Sequence, residues 1–198
     1  MFDFFKKLML ARQVQIEKGS MLLLGQRMLI LPALTFVYLQ KAANDKEMIN
    51  KYIYYCCKLA DVLGFTKGIQ ERYGLKHENL IKWMMDVAML AGWGKFEIIS
   101  MDTEKLTMVA HVKNSAVASL FGPSKFPIDH AIRGFIAGAS EALYKKPIDT
   151  IETKCQAMGN QYCEFITKPT KDFDFNNSLV KGQIDKIGID IKKIKNIL

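Results

Sequence analysis

The hydrophobic period of this chain switches from helical to alternating at residues 91–94. That switch is the strongest constraint on what the chain can fold into. Before it, Leu80, Met84, Val87 and Met89–Leu90 fall on one face of a helix over residues 77–90. After the Gly92-Trp93-Gly94 punctuation, Phe96, Ile98 and Ser100 alternate with Glu97 and Ile99. Thr103-Glu104 then turns the chain into LTMVAHVKN, so this stretch reads as a β-hairpin. Upstream, VQIEK and MLLLGQRMLIL around Gly19-Ser20 predict another hairpin over residues 13–31. Pro32 opens a helix through about Ala43. Asn44-Asp45 starts the next, which reaches Leu63 and stops at Gly64, and a shorter one runs to Tyr73 and Gly74. Downstream, Ser115 caps a short helix that ends near Phe121-Gly122-Pro123. A long helix is expected over Pro127 to Tyr144, followed by two short strands, about 148–156 and 161–167, around Gly159-Asn160. Helices and antiparallel hairpins mix without βαβ alternation, so the fold class is α+β.

Residues 13–168 read as a single domain. An amphipathic helix at residues 1–12 precedes it, with Phe2, Phe5, Leu8 and Met9 on one face. We expect this helix to lie on its own domain, although the same face would suit a membrane surface or a partner. Residues 169–198 start with the polar link TKDFDFNNS. Val180, Ile184, Ile187, Ile191, Ile194 and Leu198 then recur at heptad spacing. This stripe either docks on the domain or pairs two chains as a coiled coil.

The net charge of +8 is spread along the chain and not gathered on one element, so nucleic-acid binding is not expected. The longest apolar run, Met28 to Leu39, contains Pro32 and is shorter than the roughly twenty residues a spanning helix needs. MFDFFKKLML makes a poor signal peptide, and four cysteines do not make a secreted disulfide framework. The chain is expected to be cytoplasmic, with no transmembrane segment.

The segment that carries chemistry is HAIRGFIAGASEALYKKPIDTIETKCQAMGNQYCEFIT, residues 130–167. It holds His130, Glu152, Cys155 and Cys163, the ligand types of a closed tetrahedral zinc site. With Met158-Gly159-Asn160 as a three-residue hairpin loop, Cys155 faces Cys163 across one sheet face. Glu152 lies an odd number of residues from Cys155, so it reaches that face only through a bulge or a twist at the strand end. Buried apolar thiols, or a strained cross-strand disulfide, are the competing readings of the pair. Cys56-Cys57 reads as core filler, His77 and His111 stand alone, and Arg133 has no evident partner.

ETKCQAMGNQYCEF, preceded by HAIRGFIAG and AGWGKFEI, resembles the 4-vinyl reductase domain, also described as a hydrocarbon-binding domain, in its archaeal stand-alone form. The resemblance covers roughly residues 77–167 and extends less specifically to residues 13–73. Glu152, Cys155 and Cys163 match the zinc-ligand motif of the family's aromatic sensors. Those sensors carry a further Cys upstream, and His130 lies near that place. The resemblance implies a structural zinc. It implies the fold shared by bacterial aromatic sensors, haem-dependent nitric-oxide sensors and Golgi vesicle-tethering subunits, and it implies a homodimer. It also implies a cavity for an apolar or aromatic small molecule, walled by Met84, Met85, Met89, Trp93, Phe96, Met108 and Phe135. Met is flexible and polarizable and suits adaptable surfaces, although the same residues make an ordinary core. Glycines beside Trp93 would let the backbone approach a ligand closely. Gly134, Gly138 and Ala142 give one helix a smooth face, for another element or for a planar ligand.

A sensory module for an apolar or aromatic ligand is therefore the expected function. A protein-interaction scaffold and a tetrapyrrole vinyl reductase are the alternatives. The sequence has no glycine-rich dinucleotide loop to supply the reductase with hydride.

Overall fold

The alternating run after Gly94 forms half of a four-stranded antiparallel sheet in the computed structural model, which describes residues 6, 8–10, 13–23, 25–66, 69–70, 74–75 and 77–184. Its strands are β4 (Lys95–Asp102), β5 (Thr107–Lys113), β6 (Ile148–Lys154) and β7 (Cys163–Pro169), in the order β4-β5-β7-β6. Met108, Ala110 and Val112 on β5 and Cys163, Phe165 and Thr167 on β7 point to the buried face. The register pairs Val112 with Cys163, Ala110 with Phe165 and Met108 with Thr167.

The first hairpin is a three-stranded meander: β1 (Val14–Glu17), β2 (Ser20–Leu23) and β3 (Gln26–Met28). Its second turn uses Gly25 at φ 81°. Val14, Leu23 and Met28 tie it to the main core.

The helices are α1 (Leu34–Ala42), α2 (Lys46–Ala60), α3 (His77–Leu90), α4 (Ala118–Phe121), α5 (His130–Tyr144) and α6 (Ser178–Ile184). Asp45 caps α2 by accepting from the Met48 N–H at 2.8 Å. Ser115 Oγ accepts from the Ala118 N–H at 3.2 Å, as expected for the start of α4. Gly64 does not stop the chain after α2. Residues Asp61–Phe65 continue as a π-helical turn, because this end of α2 is packed onto α5 and tertiary contact overrides the weak glycine propensity. Helix α5 starts at His130, three residues later than expected.

Helix α5 lies between the sheet and α2. Ile132, Phe135, Ile136 and Ala139 join the main core. Gly134 and Gly138 meet α2: a Cβ built on Gly134 would stand 2.2 Å from Tyr54 O, and one on Gly138 2.4 Å from Lys58 O. The smooth face thus serves helix packing. A buried polar cluster closes the end of this interface. Lys58 Nζ lies 2.8 Å from Asp149 Oδ1, 3.0 Å from Glu141 Oε2 and 2.6 Å from the Ile148 carbonyl. Tyr54 and Thr170 donate to Asp149 from the other sides, each at 2.6 Å.

Cys56 is exposed and so is not core filler, whereas Cys57 is half-buried with its thiol pushed up to about 12 by desolvation. Leu8 joins the main core, as expected for a helix on its own domain. Phe2 and Phe5 lie outside the described residues. So do Ile187, Ile191, Ile194 and Leu198 of the heptad stripe, while Val180 and Ile184 pack on Ile151 and Phe173. Among the described residues no helix is long and apolar enough to cross a membrane.

Candidate metal centre and the apolar layer beside it

Cys163 opens β7 on the inward face of the sheet, with no exposure to solvent. Cys155 follows β6 at the start of a 3-10 turn, Gln156–Met158, which ends on Gly159 at φ 88°. That turn is longer than a three-residue loop. It is built around Cys155, whose N–H donates to Asn160 Oδ1 at 3.1 Å and whose carbonyl accepts from Met158 and Asn160. All four cysteines are free thiols.

Glu152 pairs with Phe165, but two residues on, Lys154 pairs with Glu164. The bulge at Thr153 inserts one residue, so side chains three apart come to the same side. This is the device by which Glu152 joins Cys155 and Cys163.

The fourth member of the group is Asp129. Ligand atoms of Asp129, Glu152, Cys155 and Cys163 all lie within 4.8 Å of one another, and all four residues are buried. His130 is not among them, which corrects the expected set. Successive residues at a helix start point about 100° apart. Asp129 turns toward β6, and its N–H donates to Glu152 Oε2 at 2.9 Å. His130 turns with Arg133, whose guanidinium lies 2.8 Å from His130 Nδ1. Facing a permanent cation, Nδ1 acts as acceptor, so the ring proton sits on Nε2. Desolvation, helped by the Arg133 charge, holds the His130 pKa well below its ordinary value.

Sequence reasoning missed Asp129 because an aspartate just before a helix reads as an ordinary cap. Its side chain makes no capping hydrogen bond to the helix. Asp129 Oδ1 instead accepts from Ser115 Oγ at 2.7 Å. Arg133, given no role from the sequence, is 1% exposed. It donates to the carbonyls of Thr150 and Gln183 and stacks over Tyr54 at 4.3 Å. His111 does not stand alone either: its Nε2 lies 3.0 Å from Glu164 Oε2. The side chain of His77 lies outside the described residues.

The group suits a cation. Asp129 Oδ2 and Glu152 Oε1 are buried with no hydrogen-bond partner, an arrangement that is costly for carboxylates left unpaired. Burial pushes both carboxyl pKa values up, and Asp129 pushes Glu152 further. A hydrogen bond from Cys163 brings the Cys155 thiol down to about 7, while Cys163 itself is driven upward. A dication here would neutralise the charge and occupy the orphaned oxygens. Two thiolates with two carboxylates match the ligand range of zinc.

Beside this group lies the apolar layer. Met84, Met85, Phe96, Met108 and Phe135 are buried, and Met89 and Trp93 partly so, in the same core cluster as Cys155 and Cys163. The Trp93 and Phe135 rings meet at a tilt of 59°, with centroids 5.4 Å apart. The close approach beside Trp93 is not to a ligand: a Cβ on Gly94 would stand 2.7 Å from Val112 Cγ1. A cavity of about 10 Å³ touches Met108, enough for about one water. A wider cleft of about 600 Å³, lined by Val62, Gln70, Glu141, Ala142, Lys145, Lys146 and Pro147, opens elsewhere, at the far end of α5.

Residues 108–169 match the family model of the 4-vinyl reductase domain. The chain carries a 4-vinyl reductase domain. The matched span contains all four grouped ligands and Phe135. Over nearly its whole length the fold is that of the phenol-responsive sensory domain of the transcription activator PoxR, solved with phenol. That domain is 18% identical, with 94% of this chain and 98% of that one covered at a TM-score of 0.77. A trafficking protein particle complex subunit 3 from Naegleria fowleri, covalently bound to palmitic acid, is 13% identical. There 70% of this chain and 92% of that one are covered at a TM-score of 0.53. A vinyl-4-reductase family protein from Methanocaldococcus jannaschii is 17% identical over 70% of this chain and 76% of that one, with a TM-score of 0.43. No curated protein matches the sequence. The 4-vinyl reductase domain therefore sits in the expected α+β ligand-binding fold.

Proposed function

We propose that this protein is a sensory module that binds an apolar or aromatic small molecule and carries a structural zinc ion. The observation that carries the reading is the convergence of Asp129, Glu152, Cys155 and Cys163 beside the Met-rich layer. A four-ligand site leaves no open position for an activated water, so the zinc serves structure. It ties the start of α5 to β6 and to the β6–β7 turn. Those three elements frame one end of the layer around Trp93 and Phe135, where Met84, Met85, Met89 and Met108 can re-pack around a guest. The PoxR likeness supports this reading at the level of fold.

A homodimer belongs to the same proposal. Leu29, Ile30 and Leu31 and the α1 residues Leu34, Tyr38 and Leu39 are exposed, with Leu29, Ile30 and Tyr38 each above 60%. An apolar run of this kind marks an interaction surface, and a second copy of the chain is its natural occupant.

Native mass spectrometry of chain purified without chelator tests the proposal. We expect one zinc per chain, a dimer, and loss of the metal in Cys163→Ser. Thermal melts with phenol and with alkylbenzenes test the ligand class, with Trp93 emission as a second readout. A metal-free chain would overturn the zinc reading. Melts and emission indifferent to the whole panel would overturn the apolar-ligand reading.

A further inference from the structure

The polar contacts of α6 converge on the proposed metal site. Strand β6 is the outer strand of its sheet, and its backbone at Glu152 is paired by a side chain. Gln183 Oε1 accepts from the Glu152 N–H and Gln183 Nε2 donates to the Glu152 carbonyl, both at 2.9 Å. One amide therefore takes both main-chain groups of a candidate ligand, as a neighbouring strand would. The carbonyls ending α6, which a helix leaves without internal partners, are also claimed. Arg133 donates to the Gln183 carbonyl at 2.5 Å, and Tyr55 donates to the Ile184 carbonyl at 3.0 Å. Arg133 is itself fixed by His130 and by the Thr150 carbonyl, two residues before Glu152.

Apolar contact alone does not require this arrangement. Val180 and Ile184 already cover Ile151 and Phe173. The amide and guanidinium contacts add direction, and they hold the residue whose carboxylate reaches the grouped thiols.

We propose that Gln183 and Arg133 are positioning residues for Glu152, and that metal occupancy and docking of α6 are reciprocally coupled. The inference rests on the metal reading above. It makes α6 the element through which occupancy of the domain reaches the chain beyond Ile184. Coupling of this kind runs both ways: whatever ordering the metal gives α6, docked α6 returns as metal affinity. Partners that orient a metal ligand are typically worth about 10–100-fold in affinity.

The test uses the full chain. Zinc stoichiometry is measured first, then zinc affinity by competition with a chromophoric chelator, for wild type, Gln183→Ala and the control Lys181→Ala. Amide exchange over residues 178–184 is followed in zinc-loaded and chelator-stripped protein, with residues 107–113 of β5 as the internal standard of folding. We expect stripping to raise exchange in α6 while β5 stays protected. We expect Gln183→Ala to weaken zinc about tenfold, with Lys181→Ala at wild type. Should the stripped chain unfold as a whole, the Gln183→Ala affinity decides. Equal zinc affinity in Gln183→Ala and wild type overturns the coupling while leaving the metal site standing. A chain that binds no zinc overturns the site and the coupling together.

Discussion

Glycine-to-alanine substitution is expected to move stability in opposite directions at two helical positions. A Cβ on Gly138 would stand 2.4 Å from Lys58 O, 2.7 Å from Asp61 Cβ and 3.0 Å from Lys58 Cα. Two of these atoms are backbone, so no rotamer change relieves the contact. Ordinary contact begins near 3.4 Å, so α5 and α2 must part by about 1 Å. Overpacking of this kind costs about 1–3 kcal/mol, against a propensity gain of about 1 kcal/mol for alanine over glycine. The larger loss is indirect. Lys58 Nζ lies 2.8 Å from Asp149 and 2.6 Å from the Ile148 carbonyl. Parting the helices by about 1 Å stretches both contacts past hydrogen-bonding range. The net expectation for Gly138→Ala is a loss of about 2–4 kcal/mol. Gly182 on α6 has nothing within 4 Å of its would-be Cβ. Gly182→Ala should therefore gain up to about 1 kcal/mol. Urea unfolding followed by circular dichroism reads both, with the m-value checking that the transition stays two-state. A Gly138→Ala chain as stable as wild type, with unchanged m, would refute the tight α2–α5 seam.

Three further outcomes follow from buried charge. Lys58→Met should cost about 3–5 kcal/mol in urea unfolding, because Asp149 loses its cation while still buried; a loss under about 1 kcal/mol would place solvent in that cluster. Burial raises the Asp61 carboxyl well above its ordinary value, so folding takes up a proton. The penalty is absent below the ordinary carboxylate range and grows as pH rises toward the folded-state value, by up to about 1.4 kcal/mol per pH unit. Asp61→Asn should flatten that fall in unfolding free energy between acid and neutral pH, and a slope equal to wild type would show that Asp61 ionises freely. In zinc competition, Asp129→Asn should weaken binding by more than about tenfold, whereas His130→Gln, which keeps an acceptor for Arg133, should hold wild-type stoichiometry. The reverse ranking would restore His130 as the ligand.

Local chemistry was enough to place the elements. The period change at Gly92-Trp93-Gly94, the Asp45 and Ser115 caps and the alternation along β5 each act within a few residues, so α3, the β4–β5 hairpin and α4 were legible. The same holds for Glu152, Cys155 and Cys163, whose spacing sits within one hairpin. The parity argument even named the bulge that Glu152 needs.

Contacts between distant segments set the rest. Asp129 rather than His130 faces Glu152 because the start of α5 is turned by Ser115 and by the β6 edge, residues 14 and 23 positions away. Arg133 finds its partners in Gln183 and Thr150, and Lys58 finds Asp149 across 91 residues of chain. Gly64 sits inside a helical turn because Asp61 is pinned against Gly138. Hydrophobic period and capping are short-range properties that a sequence displays directly. The partner of a buried charge is chosen by whichever donor or acceptor the packed elements bring within about 3 Å, and that choice exists only once α2, α5, α6 and the sheet have come together.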